Sequence, residues 1–308
     1  MDPVTHTLTG VTAANAFFRR RVGPGAVPIL AVAANLPDLD ASSYFAGGPR
    51  ALLLRRTFGH SILLMPIWAA ALALVLGFLY PKIRWRGRFA LSLLGCAIHL
   101  FFDLINSFGV VVLWPLGDWR PELAIVFIID FILTGLLAAP LIAVVVKRLR
   151  PHLVALSRAS VAAVAIYLAL CGISRAMAGR TLEAAAAARG ITASFTYVFP
   201  EPLGPHRWRG ILREGDLYHL YMLHEPAGRA DPAGEVRTFD SDGRVEEAKR
   251  SPVGRSLEAF FKAPVWTVRD DGTVAAYDLR FRTLVLDRKA VFEYVFRVGA
   301  DGDEVISW

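Results

Sequence analysis

The chain has 308 residues, 55% of them hydrophobic, and a formal net charge of +7. Its mean hydropathy of +0.44 is high for a soluble chain of this length, so we expect a polytopic membrane protein. The positive charge does not predict nucleic-acid binding, because the basic excess lies in the apolar half of the chain and clusters at the ends of apolar segments. Lipid headgroups and membrane topology account for such clusters.

Six apolar segments are predicted in the first 180 residues. Residues 4–18 and 26–36 are too short to cross a hydrocarbon core of about 30 Å at about 1.5 Å per residue, so we predict re-entrant or half-membrane helices around a cavity. Four longer segments follow and are predicted as full spans: residues 61–80, 89–112, 123–146 and 159–178. The expected fold class of residues 1–180 is therefore an α-helical integral membrane domain.

Residues 181–308 have a different composition, with dense charges of both signs and no long apolar run. Alternating stretches predict strands at 193–199, 217–223, 274–281 and 291–298. Asp-Gly pairs at 242–243, 271–272 and 301–302 predict turns, and residues 182–188 continue the last membrane helix or form a linker helix. We expect a small β-rich soluble domain here.

The basic segments orient the chain. If residues 82–88 and 147–158 are cytoplasmic, as the excess of arginine and lysine predicts, the domain after residue 180 is extracytoplasmic. The same orientation brings His6, Asp38, His60 and Asp103 to a common depth, with Asp130 on a neighbouring span.

Carboxylates are rare in the first 180 residues, which contain seven of them against seventeen basic residues. An ionisable side chain in an apolar span is costly and usually functional. Asp38 and Asp40 follow the second short segment, and each is a candidate oxygen ligand or base, although a solvated loop is the alternative. Asp2-Pro3 predicts a helix start one turn before His6, and capping alone could explain Asp2.

The most specific pattern is His99, Asp103 and Asn106, which share one face of a predicted helix at positions i, i+4 and i+7. A spacing of four lets two side chains reach one ion or adjacent ions; the alternative is a polar pair that packs two helices together. His60 stands where an apolar span begins, a position that a histidine can also occupy without binding metal. Asp130 can complete the site from a neighbouring helix.

The motifs occur in a recognisable order. They are Thr5-His6, Pro37-Asp38-Leu39-Asp40, Arg56-Thr57-Phe58-Gly59-His60-Ser61, His99 to Asp103 with Ser107-Phe108-Gly109, Trp114-Pro115 and Asp130. Over about residues 1–146 the chain resembles the bacterial inner-membrane-bound metal-dependent hydrolases of the YdjM type. The family pattern usually reads His-Arg-Gly-x-Thr-His-Ser, whereas this chain has Arg55 at the first histidine, so a role resting on that histidine does not carry over.

The residues and the resemblance together imply a membrane-bound metal-dependent hydrolase with a divalent ion, zinc first. We expect the metal ligands to be His6, Asp38, His60, His99 and Asp103. Asp40 or Asp130 is expected to orient a ligand or to act as general base. Arg55, Arg56 and Arg120 could hold a phosphate oxygen, which favours a phosphoester of a lipid or of a lipid-linked metabolite.

Two other classes of function are open. The metal could be structural, in a membrane scaffold or envelope-stress factor whose soluble domain binds a partner. A closed four-ligand site favours that scaffold, and an open coordination position favours the hydrolase. The chain could also be a transporter, but it lacks paired Gly- or Pro-interrupted helices in two similar halves.

Overall fold

A computed structural model describes residues 1–46, 54–285, 293–297 and 304–307. The chain divides into two units. The first comprises Met1–Ala41, Arg56–Gly172 and Pro202–Gly204, and the second comprises Ser42–Arg55, Ile173–Glu201 and Pro205–Trp308. The predicted order, a helical N-terminal region followed by a β-sheet C-terminal region, is confirmed.

Among the described residues before residue 189, the regular structure is helical. The helices are α1 (Pro3–Ala13), a π-helical turn (Ala14–Phe18), α2 (Arg19–Val22), α3 (Ala26–Ala33), a 3-10 helix (Leu36–Ala46), α4 (Met65–Leu79), α5 (Trp85–Leu104), α6 (Phe131–Ala138), a 3-10 turn (Ala139–Leu141), α7 (Ile142–Val145), a 3-10 turn (Lys147–His152) and α8 (Leu153–Ala188). The helix α1 begins at Pro3 because the Asp2 side chain accepts a hydrogen bond from the Thr5 amide at 3.0 Å.

Two helical stretches of the described chain are long and apolar enough to cross a membrane, Trp85–Leu104 and Lys147–Ala188. The four predicted full spans are therefore not confirmed. The helix α4 has 15 residues, which gives about 22 Å at about 1.5 Å per residue and falls short of a core of about 30 Å. The helix α8 has 36 residues and is roughly 54 Å long, so it exceeds that thickness.

The predicted spans 89–112 and 123–146 are shortened by an irregular segment between α5 and α6. The Leu123 amide donates to the Leu104 carbonyl at 2.7 Å, so this segment obtains backbone hydrogen bonds without being helical. The next helix begins after Asp130, whose carboxylate accepts from the Leu133 amide at 2.9 Å. An apolar composition thus continues through residues whose backbone is not helical.

Close packing of α3 against α1 and α5 depends on two glycines. A Cβ atom at Gly10 would lie 2.5 Å from the carbonyl oxygen of Leu30 on α3, and a Cβ atom at Gly95 would lie 2.4 Å from the Cβ atom of Ala33. Neither position has room for a side chain, so the three helices can approach one another only with glycine there.

The described residues of the second unit form two antiparallel four-stranded sheets whose strands follow chain order. The first sheet is formed by β1 (Phe195–Pro200), β2 (Arg207–Glu214), β3 (Leu217–His224) and β4 (Arg229–Arg237). The second is formed by β5 (Pro264–Val268), β6 (Val274–Asp278), β7 (Tyr294–Arg297) and β8 (Glu304–Ser307). Two helices, α9 (Gly243–Arg250) and α10 (Pro252–Phe260), lie between the sheets in sequence.

The core of this unit has two parts. The last turns of α8 pack on the first sheet, where Leu182 meets Trp208, and a Cβ atom at Gly210 would lie only 2.7 Å from a Leu182 methyl carbon. A second cluster joins the two sheets, with Ile211 of β2 and Val265 of β5 among its buried members. The strand β2 is therefore buried on both faces.

Several details of the β-rich region differ from the prediction. The strands predicted at 193–199, 217–223 and 274–281 correspond to β1, β3 and β6, and part of 291–298 corresponds to β7. The pair Asp242-Gly243 begins α9, because the Asp242 side chain accepts from the Arg244 amide at 2.9 Å and caps the helix. The Asp-Gly pair at 301–302 and residues 291–292 and 298 lie outside the described residues.

Candidate metal centre

Four donor side chains converge in the first unit: Asp38, His60, His99 and Asp103. One ligand atom of each lies within 4.8 Å of the others. The 3-10 helix after α3 supplies Asp38, the turn before α4 supplies His60, and α5 supplies His99 and Asp103 one turn apart. These separations are comparable with roughly twice a metal–ligand distance of about 2.0–2.2 Å, so the group has the size of a site for one divalent ion.

Hydrogen bonds orient both histidines of the group. The Nδ1 atom of His99 lies 2.7 Å from the carbonyl oxygen of Ala34, and a carbonyl only accepts, so Nδ1 carries a proton; in the neutral ring Nε2 then presents a lone pair. The Nδ1 atom of His60 lies 2.9 Å from a carboxylate oxygen of Asp40. The two Nε2 atoms face each other at 3.0 Å. Metal-binding histidines are held by this kind of outer contact.

Asp103 is the most heavily contacted member of the group. Its Oδ2 atom lies 3.0 Å from the Nε2 atom of His60 and 3.5 Å from that of His99. Arg56 approaches both carboxylate oxygens, with Nε 2.9 Å from Oδ2 and Nη2 3.0 Å from Oδ1. The amine of Met1 also pairs with Oδ1. Because Asp103 is fully buried, these cations offset the cost of removing its charge from water.

His6 lies beside the group and is not one of its four members. Its ring stacks on the ring of His99 with centroids 3.7 Å apart, and its Nε2 atom is 3.3 Å from the Oδ1 atom of Asp103. Within the described part of the chain, the Nδ1 atom of this buried residue has no hydrogen-bond partner. A buried nitrogen without a partner is costly, and a cation next to it would remove that cost, so the donor set fits a metal ion.

Asp40 and Asp130, the two predicted orienting or catalytic carboxylates, occupy different surroundings. Asp40 contacts His60 and accepts from the Thr57 amide at 2.9 Å with the same oxygen, which places it directly behind the group. Asp130 is not a member of the group; it caps α6 and accepts a hydrogen bond from the Tyr167 hydroxyl at 2.6 Å.

The three arginines predicted to bind phosphate, Arg55, Arg56 and Arg120, have different surroundings. The guanidinium of Arg56 contacts Asp103, donates to the Oδ1 atom of Asn106 at 3.0 Å and lies 4.6 Å from the ring centroid of Phe108. Arg120 donates to the Gly109 carbonyl at 3.4 Å. Arg55 falls in the second unit. Phosphate binding by Arg55 and Arg56 therefore stays a prediction, and the contact of Arg56 with Asp103 is a feature that the sequence did not reveal.

Two main-chain groups at the site were not predicted from the sequence: the carbonyl of Ala34 and the amide of Thr57. Each fixes a ligand or its partner through the backbone, so no side-chain pattern could have signalled it. The contact of Arg56 could have been suspected, since a buried carboxylate in an apolar helix requires a cation and Arg56 lies four residues before His60.

Access to the group is uneven. The side chains of His60, His99 and Asp103 have 0% of their surface exposed, whereas that of Asp38 is 14% exposed. Water or a substrate would therefore reach the donors first at Asp38.

These observations define a class: a membrane-associated helical protein with a candidate metal centre and a C-terminal β-sheet domain. A family model described as YdjM inner membrane protein matches residues 1–179, more than half of the chain. The chain belongs to this family, and the predicted resemblance is confirmed. No curated protein and no solved structure matches it.

Proposed function

We propose that this protein is a membrane-bound metal-dependent hydrolase acting on a phosphoester of a lipid or of a lipid-linked metabolite. One observation carries the proposal: two histidines and two carboxylates converge within 4.8 Å of one another inside an apolar helical unit. Ionisable side chains are costly in such surroundings and usually serve a function there.

The donor types favour zinc among the divalent ions. Asp38, His60, His99 and Asp103 would hold the ion, and His6 would stand next to it with its unpartnered Nδ1 atom. When bound, such an ion supplies Lewis-acid polarisation of the phosphoester and activation of water.

The protein's own residues have separable roles in this proposal. Asp40 holds the proton on Nδ1 of His60 and so keeps Nε2 directed at the other donors. Its second oxygen, Oδ1, is buried without a hydrogen-bond partner in the described chain, so it can accept a proton. Both oxygens of Asp130 are engaged, by the Leu133 amide and the Tyr167 hydroxyl. We therefore favour Asp40 over Asp130 as the orienting or basic carboxylate.

A structural metal is the second candidate function, and the burial of the site favours it. His60, His99 and Asp103 are fully buried, and a closed set of four ligands is typical of a structural site. In that case the protein would be a membrane scaffold or envelope-stress factor. The partial exposure of Asp38 favours the hydrolase.

An activity screen distinguishes the two functions. We expect the full-length protein, purified in detergent, to hydrolyse a phosphomonoester, a phosphodiester or a short-chain phospholipid. The activity should be lost with a chelator, restored by zinc and absent from His60→Ala. Stoichiometric metal and a chelator-sensitive melting temperature, with no turnover of any of these substrates, would establish the structural role instead.

We further propose that the protein is a multi-pass protein of the bacterial inner membrane with an extracytoplasmic C-terminal domain. The basic segments 82–88 and 147–158 support this orientation. A phosphatase reporter that is active only outside the cytoplasm is expected to be active when fused after Trp308 and inactive when fused after Arg86. The opposite pair of results would reverse the orientation.

A further inference from the structure

A basic cavity lies at the turn that joins α1 to α2. It has a volume of about 170 Å³ and is lined by Asn15, Ala16, Phe17, Arg20, Arg21 and Arg158. A cavity of this size has room for a single phosphate group and not for a whole lipid. The cavity lies in the first unit, and none of the metal-centre donors lines it.

The wall of the cavity combines residues that are far apart in sequence, residues 15–21 and Arg158. The Nε atom of Arg158, on α8, donates to the Ala16 carbonyl at 3.0 Å across 142 positions of sequence. That carbonyl belongs to the π-helical turn Ala14–Phe18, and such turns are frequent at functional sites. The bond holds one side of the Arg158 guanidinium against the wall and leaves its Nη atoms for another acceptor.

The cavity has unused positive charge and an unused donor. In the described ranges of the chain, no carboxylate lies within 4.0 Å of Arg20, Arg21 or Arg158. Asn15 is only 3% exposed; its Oδ1 atom accepts from Arg19 at 3.1 Å, and its Nδ2 atom donates to no group among the described residues. An anion in the cavity would satisfy this donor and the guanidinium groups together.

We propose that this cavity binds the phosphate group of an anionic phospholipid. Basic pockets between membrane helices are typical sites for lipid phosphates, and bidentate arginine contacts match phosphate geometry. The ligand enters only as its headgroup, and Arg20, Arg21, Arg158 and Asn15 supply the donors. The inference is independent of the hydrolase, since it concerns a different cavity and needs no metal.

Binding of short-chain phosphatidylglycerol to the full-length protein in detergent tests this site. We expect Arg20→Gln/Arg158→Gln to raise the dissociation constant at least tenfold. The matched control Arg86→Gln/Arg148→Gln removes two exposed arginines that do not line the cavity and should change it less than twofold. Equal weakening by both pairs would show diffuse surface attraction and overturn the proposal, and so would the absence of binding to the wild-type protein.

Two further arms complete the test. Competition with inorganic phosphate shows whether the bound phosphate group comes from a lipid or from free phosphate. If phosphate displaces phosphatidylglycerol only at far higher concentration, the ligand is a lipid headgroup. Tight phosphate binding that the variants weaken, with no lipid binding, would overturn the lipid assignment. The double variant could unfold because it loses the Arg158–Ala16 contact, so the single variant Arg20→Gln, which keeps that contact, is measured as well. Arg20 is exposed and has no ion pair in the described chain. The single variant should weaken lipid binding without lowering the melting temperature.

Discussion

Purified His99→Ala is expected to lose its bound divalent metal almost completely. His99 supplies one of the four donors that converge among the described residues, and its Nε2 atom is directed at the group by the Ala34 carbonyl. Removing a ligand costs most of the affinity, because alanine leaves a donor position that water must fill in a buried site. Elemental analysis of the protein, dialysed against buffer without metal, measures the effect as moles of metal per mole of chain.

His152→Ala is the matched control for this experiment. His152 is exposed, lies in the turn before α8 and is not a member of the donor group, so its removal should leave the metal content unchanged. Helical circular dichroism should be recorded for both variants. A folded His99→Ala protein with the wild-type metal content would show that the metal lies elsewhere.

The donors of this site could be proposed from sequence because they lie in short, ordered motifs. The spacing of His99 and Asp103 requires only that the segment be helical, and α5 is helical through both residues. His60 and Asp38 came from motifs in turns, where no periodicity operates. That they lie near His99 depends on how α3 packs on α5, and close packing at Gly95 is a three-dimensional property that one sequence does not display.

Span lengths could not be predicted from hydropathy alone. Residues 105–130 are largely apolar, yet they form an irregular segment. Its backbone hydrogen bonds run to the end of α5, to Arg56 and within the segment itself. Hydropathy measures the cost of moving a side chain from water into an apolar environment. It does not show which group each backbone amide or carbonyl hydrogen-bonds with. The cap at Asp130 was a usable signal, since an aspartate before an apolar run favours a helix start.

Two of the strands that were not predicted, β2 and β4, have physical explanations. β2 is buried on both faces, and Arg209 within it pairs with Glu201 at 2.8 Å, so neither alternation nor polarity marks it as a strand. β4 contains Pro232 and is an edge strand, the position where a sheet tolerates proline. The helix α10 did carry a signal, because Ser251 caps it and Pro252 occupies its first turn.

The metal-free form of Arg56→Met is expected to be destabilised far more than the metal-bound form. Arg56 contacts both oxygens of the buried Asp103, and removing one partner of a buried ion pair typically costs about 3–5 kcal/mol. Methionine retains the apolar stem, so the change removes mainly the charge. A bound divalent cation would compensate Asp103 in place of Arg56, and the cost should then shrink. Melting temperatures of wild type and variant, each with zinc and with chelator, measure the difference.

Two additional variants make this experiment decisive. Arg148→Met removes an exposed arginine and should not alter the melting temperature in either condition. Arg56→Met/Asp103→Leu removes a metal ligand together with the arginine, so zinc should no longer raise its melting temperature as it does for Arg56→Met. Equal destabilisation of Arg56→Met with zinc and with chelator would mean that no cation binds beside Asp103. The proposed metal centre would then have to be given up even if the protein contained metal elsewhere.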